Sequence, residues 1–257
     1  MKTIINSILL VLSVIMISGC SGRSSRSRES VAEADTVTVP DTGFTGIKQY
    51  FSNKLLVKEV TFKNSIRHGE TKSYYQGGQL YQRFWYENGL REDSAVWYYP
   101  SGQVFRTTPY VHDTINGIQK QYYRTGSVKA RLYYRKGLRT ALIEEFTPEG
   151  RRVGGYPEIV YKIDDSYQTR GRVRVNLELS KKDFPNVKFY RGELAGELFD
   201  TTKCIKLDTR NGMASIDMKK TPGQQGEYVG VIAVILTNFG NNYLAFKKID
   251  LPYSDLK

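Results

Sequence analysis

The chain has 257 residues and is basic, with 38 Lys and Arg against 26 Asp and Glu and a formal net charge of +12, which favours acidic partners. Its two histidines are isolated from each other and from any cysteine, which excludes a zinc site built from His and Cys ligands. The chain also contains no serine-nucleophile elbow, phosphate-binding glycine loop or dinucleotide fingerprint, so nothing nominates an enzyme and no cofactor or metal is expected.

Residues 1–19 are predicted to be a lipoprotein signal peptide. A charged start is followed by an apolar run over residues 4–17, too short for a comfortable membrane span. The run ends in Ile-Ser-Gly-Cys at Cys20, which resembles a bacterial lipobox. The resemblance implies cleavage before Cys20 and acyl chains on that cysteine that anchor the protein to the membrane. The alternative is an ordinary signal peptide with an incidental cysteine.

The residue after the lipobox indicates a location. Ser21 stands where the inner-membrane retention signal would have Asp, so the resemblance implies an outer-membrane lipid anchor, with the protein facing the periplasm or the cell surface. With Cys20 acylated, Cys204 has no partner for an intramolecular disulfide, and it is predicted to be a small buried residue. Residues 20–45 lack apolar periodicity and are predicted to form a flexible tether.

Residues 46–153 contain an internal repeat with a period of 24 residues. Each unit is predicted to be a β-hairpin, because glycines, Asn-Gly pairs and similar turn residues separate aromatic and β-branched runs. Stacked hairpins form an antiparallel meander in which each unit contacts its neighbours. The repeating columns are Gly78, Gly102, Gly126 and Gly150; Tyr50, Tyr74, Tyr98, Tyr122 and Phe146; Phe62, Tyr86, Tyr110 and Tyr134; and Leu56, Leu80, Val104 and Val128.

The pattern Gly-x4-Tyr-Tyr-x2-Gly resembles the variant MORN repeat of bacteria. The leading glycine of that family falls on Gly69 and Gly117. Its other positions are the paired aromatics Tyr74-Tyr75, Tyr98-Tyr99 and Tyr122-Tyr123 and the turn glycines Gly78, Gly102 and Gly126. The chain departs from the pattern at four positions. Asp93 and Ala141 replace the leading glycine, and Lys54 replaces the turn glycine of the first unit. Pro109 interrupts the returning strand of the third hairpin, so that strand is predicted to be bulged or unpaired on one side.

Both faces of this one-layer sheet are predicted to be aromatic, since side chains alternate along each strand. One face is therefore a candidate binding surface, because aromatic rings flanked by Arg and Lys stack on sugars, lipid head groups or peptides. The alternative is that the rings only pack across strands. The candidate residues are Tyr75, Trp85, Trp97, Tyr99, Tyr123 and Tyr133.

Residues 154–257 are predicted to be a small β-sandwich of immunoglobulin-like size. About seven strand-like runs lie between 159 and 251, and the run 229–236 has the apolar character of a central strand. The adjacent acids Asp164 and Asp165 are expected in a turn, and they form no catalytic dyad because neighbouring strand residues point to opposite faces. Glu144 and Glu145 meet the same objection.

The leading functional hypothesis is a non-enzymatic, lipid-anchored cell-envelope protein whose repeat array is a protein-interaction or assembly surface. Residues 46–153 carry 18 Lys and Arg against 9 Asp and Glu, which favours an acidic glycan or anionic lipid as the ligand of an alternative binding module. The same charge also protects sheet edges from aggregation. Nucleic acid is excluded by the export signal. An unrecognised enzyme is the last alternative, and it predicts a deep polar pocket near residues 156–165.

Overall fold

The computed structural model describes residues 43–223 and 225–257. The predicted signal peptide, the lipidation site Cys20 and residues 20–42 of the predicted tether lie outside the described residues. Residues 41–257 form one compact unit, and its described part is almost entirely antiparallel β-structure. The hairpin meander followed by further sheets confirms the predicted fold class.

The repeat region folds into one long antiparallel sheet in which consecutive strands are neighbours, with a single contribution from the C-terminal region. Its strands, in chain order, are β1 Gly46–Ser52, β2 Leu55–Lys63, β3 Ile66–Tyr74, β4 Leu80–Glu87, β5 Leu90–Tyr98, β6 Val104–Val111, β7 Thr114–Ile115, β8 Gly117–Tyr122, β9 Val128–Arg135 and β10 Leu138–Glu145. β7 extends beside β6, and the sheet ends beyond β10 on β14, Leu198–Phe199.

The turns between strands have the backbone that the repeat predicts. Gly78, Gly102 and Gly126 all have positive φ angles, as the closing position of a bulged hairpin requires. Asn88 and Gly89 both have positive φ, which matches the type I′ turn expected of Asn-Gly. The same two-residue conformation recurs one period later at 112–113 and again at 136–137.

Pro109 interrupts the ladder on one side of β6, as predicted. It is paired with Ser94 of β5, but β6 and β8 share only the pairs Arg106–Gln121 and Thr107–Lys120. Because proline has no backbone N–H to donate, the chain opposite it breaks into β7 and β8. Gly117 begins β8, and a side chain there would approach the Pro109 ring to 3.1 Å.

The C-terminal region is a two-sheet sandwich around one core, as predicted. One sheet has the order β11 (Ile159–Ser166), β12 (Arg172–Leu179), β16 (Ala214–Lys219), and the other has the order β15 (Ile205–Lys206), β13 (Val187–Arg191), β17 (Tyr228–Leu236), β18 (Asn242–Asp250). Buried side chains from both sheets, including Val175, Phe189, Ile216, Val231 and Ile249, form its core. The region also contains the short helix α1, Tyr167–Arg170, and a 3-10 turn, Thr201–Lys203.

Two local predictions are wrong. Asp164 and Asp165 lie in β11 rather than in a turn, where Asp164 accepts a hydrogen bond from Asn176 and Asp165 one from Tyr253. Cys204 is half-buried rather than buried, because it follows the exposed 3-10 turn at the edge of the sandwich. Burial of its thiol and the nearby Asp200 carboxylate raise the pKa of Cys204.

Candidate interaction surface

The two faces of the hairpin sheet carry different chemistry, and cross-strand pairing defines them. Paired residues share a face, and side chains alternate along a strand. Gln82 pairs with Trp97, so Trp97 lies on the face of Phe84 and Tyr86; we call this the Trp97 face. Trp85 pairs with Glu70 and Glu92 on the opposite side, which we call the Trp85 face.

The grouping of the six candidate residues on one face is wrong, although their binding role stays a prediction. Trp97 is separated from Trp85 by the sheet itself. Pairing from strand to strand places Ala130 on the Trp97 face, so Tyr133, three residues further along the same strand, lies on the Trp85 face. The cause is the cross-strand register: the two-residue turn at Asn88-Gly89 places Glu87 opposite Leu90, which puts Trp97 on the face opposite to Trp85, and the shift of pairing around Asp93 is of two residues and leaves the faces unchanged. Alternation within one strand gives no information on this register.

Tyr75, Tyr99 and Tyr123 hold neighbouring repeats together. Each follows the last residue of a strand, at a hairpin turn, and donates its phenol hydrogen to a backbone carbonyl of the next repeat. The acceptors lie 23 residues further on, and the distances are 2.7 Å for Tyr75 to Tyr98, 2.9 Å for Tyr99 to Tyr122 and 2.7 Å for Tyr123 to Phe146. Burial raises the pKa of Tyr75 and of Tyr123, so both stay protonated donors at neutral pH. These three candidates therefore have a structural role.

Trp97 belongs to a small core of the sheet. Its ring is only 9% exposed, meets Phe84 edge-on at 5.3 Å and packs with Ala95 and Tyr110. The guanidinium of Arg106 covers it at 4.0 Å from the ring centroid. Trp97 is thus shielded from a ligand by its own neighbours.

The Trp97 face carries a row of cations over aromatic rings. Arg67 lies over Tyr86 at 4.9 Å, Arg91 over Tyr110 at 4.3 Å and Lys48 over Phe62 at 5.2 Å. Among them Arg91 is ion-paired, to Asp113, which lowers the pKa of that carboxyl. In the described part of the chain, Lys48, Arg67 and Arg106 have no carboxylate within ion-pair distance.

The Trp85 face has paired charges and exposed apolar side chains. Glu70 contacts both Lys72 and Arg83, and Glu144 contacts Arg131 and accepts a hydrogen bond from Tyr133. The hydrogen bonds from Arg131 and Tyr133 lower the pKa of Glu144, while burial and the bond to Glu144 raise the pKa of Tyr133. Trp85 stands among these residues with 43% of its surface exposed. Ile66, Leu90 and Ile118 are exposed on the same face, as their pairing with Lys63, Glu87 and Tyr133 shows.

A buried carboxylate joins the sheet to the sandwich. Glu145 of β10 is fully buried and accepts hydrogen bonds from Tyr156 at 2.7 Å, Thr237 at 2.8 Å and Asn241 at 2.7 Å. Gln121 of β8 also donates to Asn241, at 2.8 Å. Burial and the hydrogen bond to Glu145 raise the pKa of Tyr156.

Sequence reasoning missed this network, although one signal was available. Glu145 and Gln121 occupy the repeat column of Trp97, so polar residues replace a core aromatic in the last repeats. The nearby Arg139 donates to the carbonyl of Asn242 at 3.1 Å, and burial lowers its pKa. Arg139 thus adds a second polar contact between the sheet and the sandwich, and the sandwich covers this end of the sheet.

The cleft at the junction differs from the polar pocket that an enzyme predicts. It has a volume of about 630 Å³, and its lining is mostly apolar: Ala141, Leu142, Ile143, Val153, Gly154, Leu194 and the rings of Tyr156 and Tyr243, with Thr140, Arg152 and Glu197 as its polar members. Neither Asp164 nor Asp165 lines it. Over the described ranges, no three His, Cys, Asp or Glu side chains cluster as metal ligands would. No helix among residues 43–223 and 225–257 is long and apolar enough to span a membrane.

The fold and its surfaces define an all-β hairpin-repeat protein with two exposed sheet faces. Comparison with protein families identifies its repeats: residues 94–112 and 115–136 match the MORN repeat variant family. This match confirms the MORN-type repeat predicted from the sequence. Repeats of this family are generally protein- or membrane-interaction modules. Comparison with curated proteins finds no match to the chain.

Proposed function

We propose that the protein is a lipid-anchored cell-envelope protein that binds a protein partner through the Trp85 face of its hairpin array. The observation that carries this proposal is Trp85, an exposed tryptophan amid side chains whose charges are already paired. Tryptophan and tyrosine dominate protein–protein binding energies, and interface centres are depleted of unpaired charge. The MORN-type repeats support the same class of function.

The protein-binding proposal is tested by photo-crosslinking in intact cells. A photoreactive amino acid at position 90, on the Trp85 face, is expected to give one discrete crosslinked protein. The product disappears in a Trp85→Ala background, because truncating a central aromatic typically costs about 2 kcal/mol or more of binding energy. Tyr161→Ala is the matched control, since Tyr161 is 42% exposed on the sandwich. A product that survives Trp85→Ala contradicts the proposal.

The anchoring part of the proposal rests on Cys20. Full-length protein from cells grown with labelled palmitate is expected to carry the label and to fractionate with the outer membrane. Cys20→Ser removes the label and releases the protein, because acyl chains provide the membrane affinity. A labelled Cys20→Ser variant contradicts anchoring at this residue, and an unlabelled parent contradicts lipidation altogether.

The unpaired cations of the Trp97 face favour a second function, binding of an anionic glycan or lipid head group. Lys48 and Arg67 lie over aromatic rings without carboxylate partners in the described structure, and such cations attract phosphate or carboxylate groups. Binding to anionic vesicles is expected to fall with salt. Arg67→Gln weakens it, whereas Arg210→Gln, on the sandwich, leaves it unchanged. Equal binding by both variants contradicts this function.

A further inference from the structure

The hairpin sheet has an unpaired edge at β1. Each equivalent strand of the later repeats, β3, β5, β8 and β10, has a neighbouring strand on both sides. Within the described residues β1 has β2 alone. Its outer backbone N–H and C=O groups therefore repeat the geometry that β3 and β5 use to bind another strand.

The side chains of β1 do not protect this edge. Ile47 and Phe51 are 61% and 60% exposed, and Tyr50 is 44% exposed. Natural edge strands are commonly protected by proline, bulges or several charges. β1 has no proline, and its only charged residue, Lys48, lies over the rings of Phe44 and Phe62. The extra residue of the β1–β2 bulge belongs to β2, so β1 itself is regular.

We propose that β1 pairs antiparallel with β1 of a second copy of this chain, around a two-fold axis at Gln49. This register places Gln49 opposite its own counterpart. Since residues 49 − n and 49 + n then face each other, Ile47 lies opposite Phe51 of the second copy, and Lys48 opposite Tyr50. The two sheets become one continuous sheet, and the interface is isologous, as in most dimers.

The chemistry of the strand is self-complementary in this register. Ile47 and Phe51 are the most exposed apolar side chains of β1, and each packs against the other residue of the second copy, which gives two such contacts on the Trp85 face. Lys48 meets Tyr50 twice on the Trp97 face, where the ammonium group and the ring attract each other. No like charges face each other in this register, and like charges opposite each other would destabilise an antiparallel pair. A shift by two residues in either direction would lose the Ile47–Phe51 contacts.

Disulfide formation tests the register. Full-length chain in detergent, with Cys20→Ser and Cys204→Ser removing both natural thiols, receives Gln49→Cys. Directly opposed cysteines in antiparallel strands lie within disulfide reach. Mild oxidation is expected to give a covalent dimer of twice the 29.4 kDa chain mass. Ile66→Cys, exposed on the same face but away from the edge, is the matched control. Equal dimer yields at positions 49 and 66 overturn the proposal.

A charge exchange separates self-pairing from other uses of the edge. In the Gln49→Cys chain, Ile47→Asp or Phe51→Lys alone is expected to reduce the dimer yield about tenfold, because each leaves a charge facing an apolar residue. The double variant places a carboxylate at position 47 opposite an ammonium group at position 51 of the second copy, and it recovers the yield to within about threefold of the parent. A double variant no better than the single ones overturns the pairing, as does a disulfide to a different protein. Trp85→Ala leaves this yield unchanged, so the outcome is distinguishable from that of the proposed function.

Discussion

The phenol of Tyr156 donates to the buried carboxylate of Glu145 across the junction between the hairpin sheet and the sandwich. Thr237 and Asn241, which flank the turn between β17 and β18, donate to the other oxygen of the same carboxylate. One side chain of the sheet therefore binds two separate segments of the sandwich. A charge of this kind is retained in a buried site only where hydrogen bonds replace its water.

Glu145→Ala is expected to be strongly destabilising. It leaves three donors unpaired, the half-buried Tyr156 and the buried Thr237 and Asn241, and the free energy of unfolding should fall by about 3 kcal/mol or more. Glu145→Gln keeps the size of the side chain and should cost less. Urea unfolding measures both, with the exposed Glu149→Ala as a control that should have no measurable effect. Equal stability of Glu145→Ala and the parent would show that the junction is not held by this carboxylate.

Replacing Tyr75, Tyr99 or Tyr123 by Phe should weaken the coupling between repeats. Each change deletes one hydroxyl that bonds to the next repeat and keeps the ring, so each should lower the free energy of unfolding by about 1 kcal/mol. The sites are one repeat apart, so the triple variant should show nearly additive losses. Tyr161→Phe, on the sandwich, is the control. Unchanged stability in all three single variants would contradict this structural role and favour the alternative that the tyrosines bind a ligand.

The two tryptophans should have distinct fluorescence. Trp85→Phe leaves the buried Trp97, whose emission should be blue-shifted and poorly quenched by acrylamide. Trp97→Phe leaves the exposed Trp85, whose emission should be red-shifted and readily quenched. Both spectra are recorded on folded protein, checked by circular dichroism. Similar quenching constants for the two variants would contradict their placement on opposite faces.

The Tyr74–Glu59 hydrogen bond should be visible in a titration. Burial and the neighbouring Glu59 carboxylate raise the pKa of Tyr74 to about 12, while the hydrogen bond from Tyr74 lowers the pKa of Glu59. Since the folded-state pKa of Tyr74 is raised above its usual value of 10, its stabilising contribution is complete below pH 10 and disappears as the pH rises through 12. NMR of ring-labelled tyrosine follows the titration. Glu59→Gln should lower the pKa of Tyr74, and an unchanged pKa would show that the Glu59 carboxylate does not raise it.

Local signals in the sequence were sufficient for the architecture. Gly78, Gly102 and Gly126 marked turns correctly because a positive φ is a property of the residue and its immediate neighbours. The strand-like runs of the C-terminal region were likewise recognised from alternation and composition alone. Pro109 predicted the break between β6 and β8 because a missing N–H affects whichever strand lies beside it.

The composition of each face was not predictable in the same way. Whether Trp97 shares a face with Trp85 depends on how β5 pairs with β4, which places Trp97 opposite Gln82, and alternation within one strand does not give that pairing. The role of Glu145 depends on Thr237 and Asn241, 92 and 96 residues further along the chain. Both features are relations between segments, and a periodic pattern describes each segment by itself.

The hydrogen bonds of Glu145, Gln121 and Arg139 also divide the array into an anchored end and an unanchored one. Strands β8 and β10 are held by the sandwich, whereas β1 is held by β2 and its own turn. Backbone amides should therefore exchange with deuterium fastest in β1 and progressively more slowly toward β10, because a repeat array opens most readily where a unit has one neighbour. A strand added at β1 would slow exchange most at the end that opens first, and would make the whole sheet melt as one unit rather than from its tip.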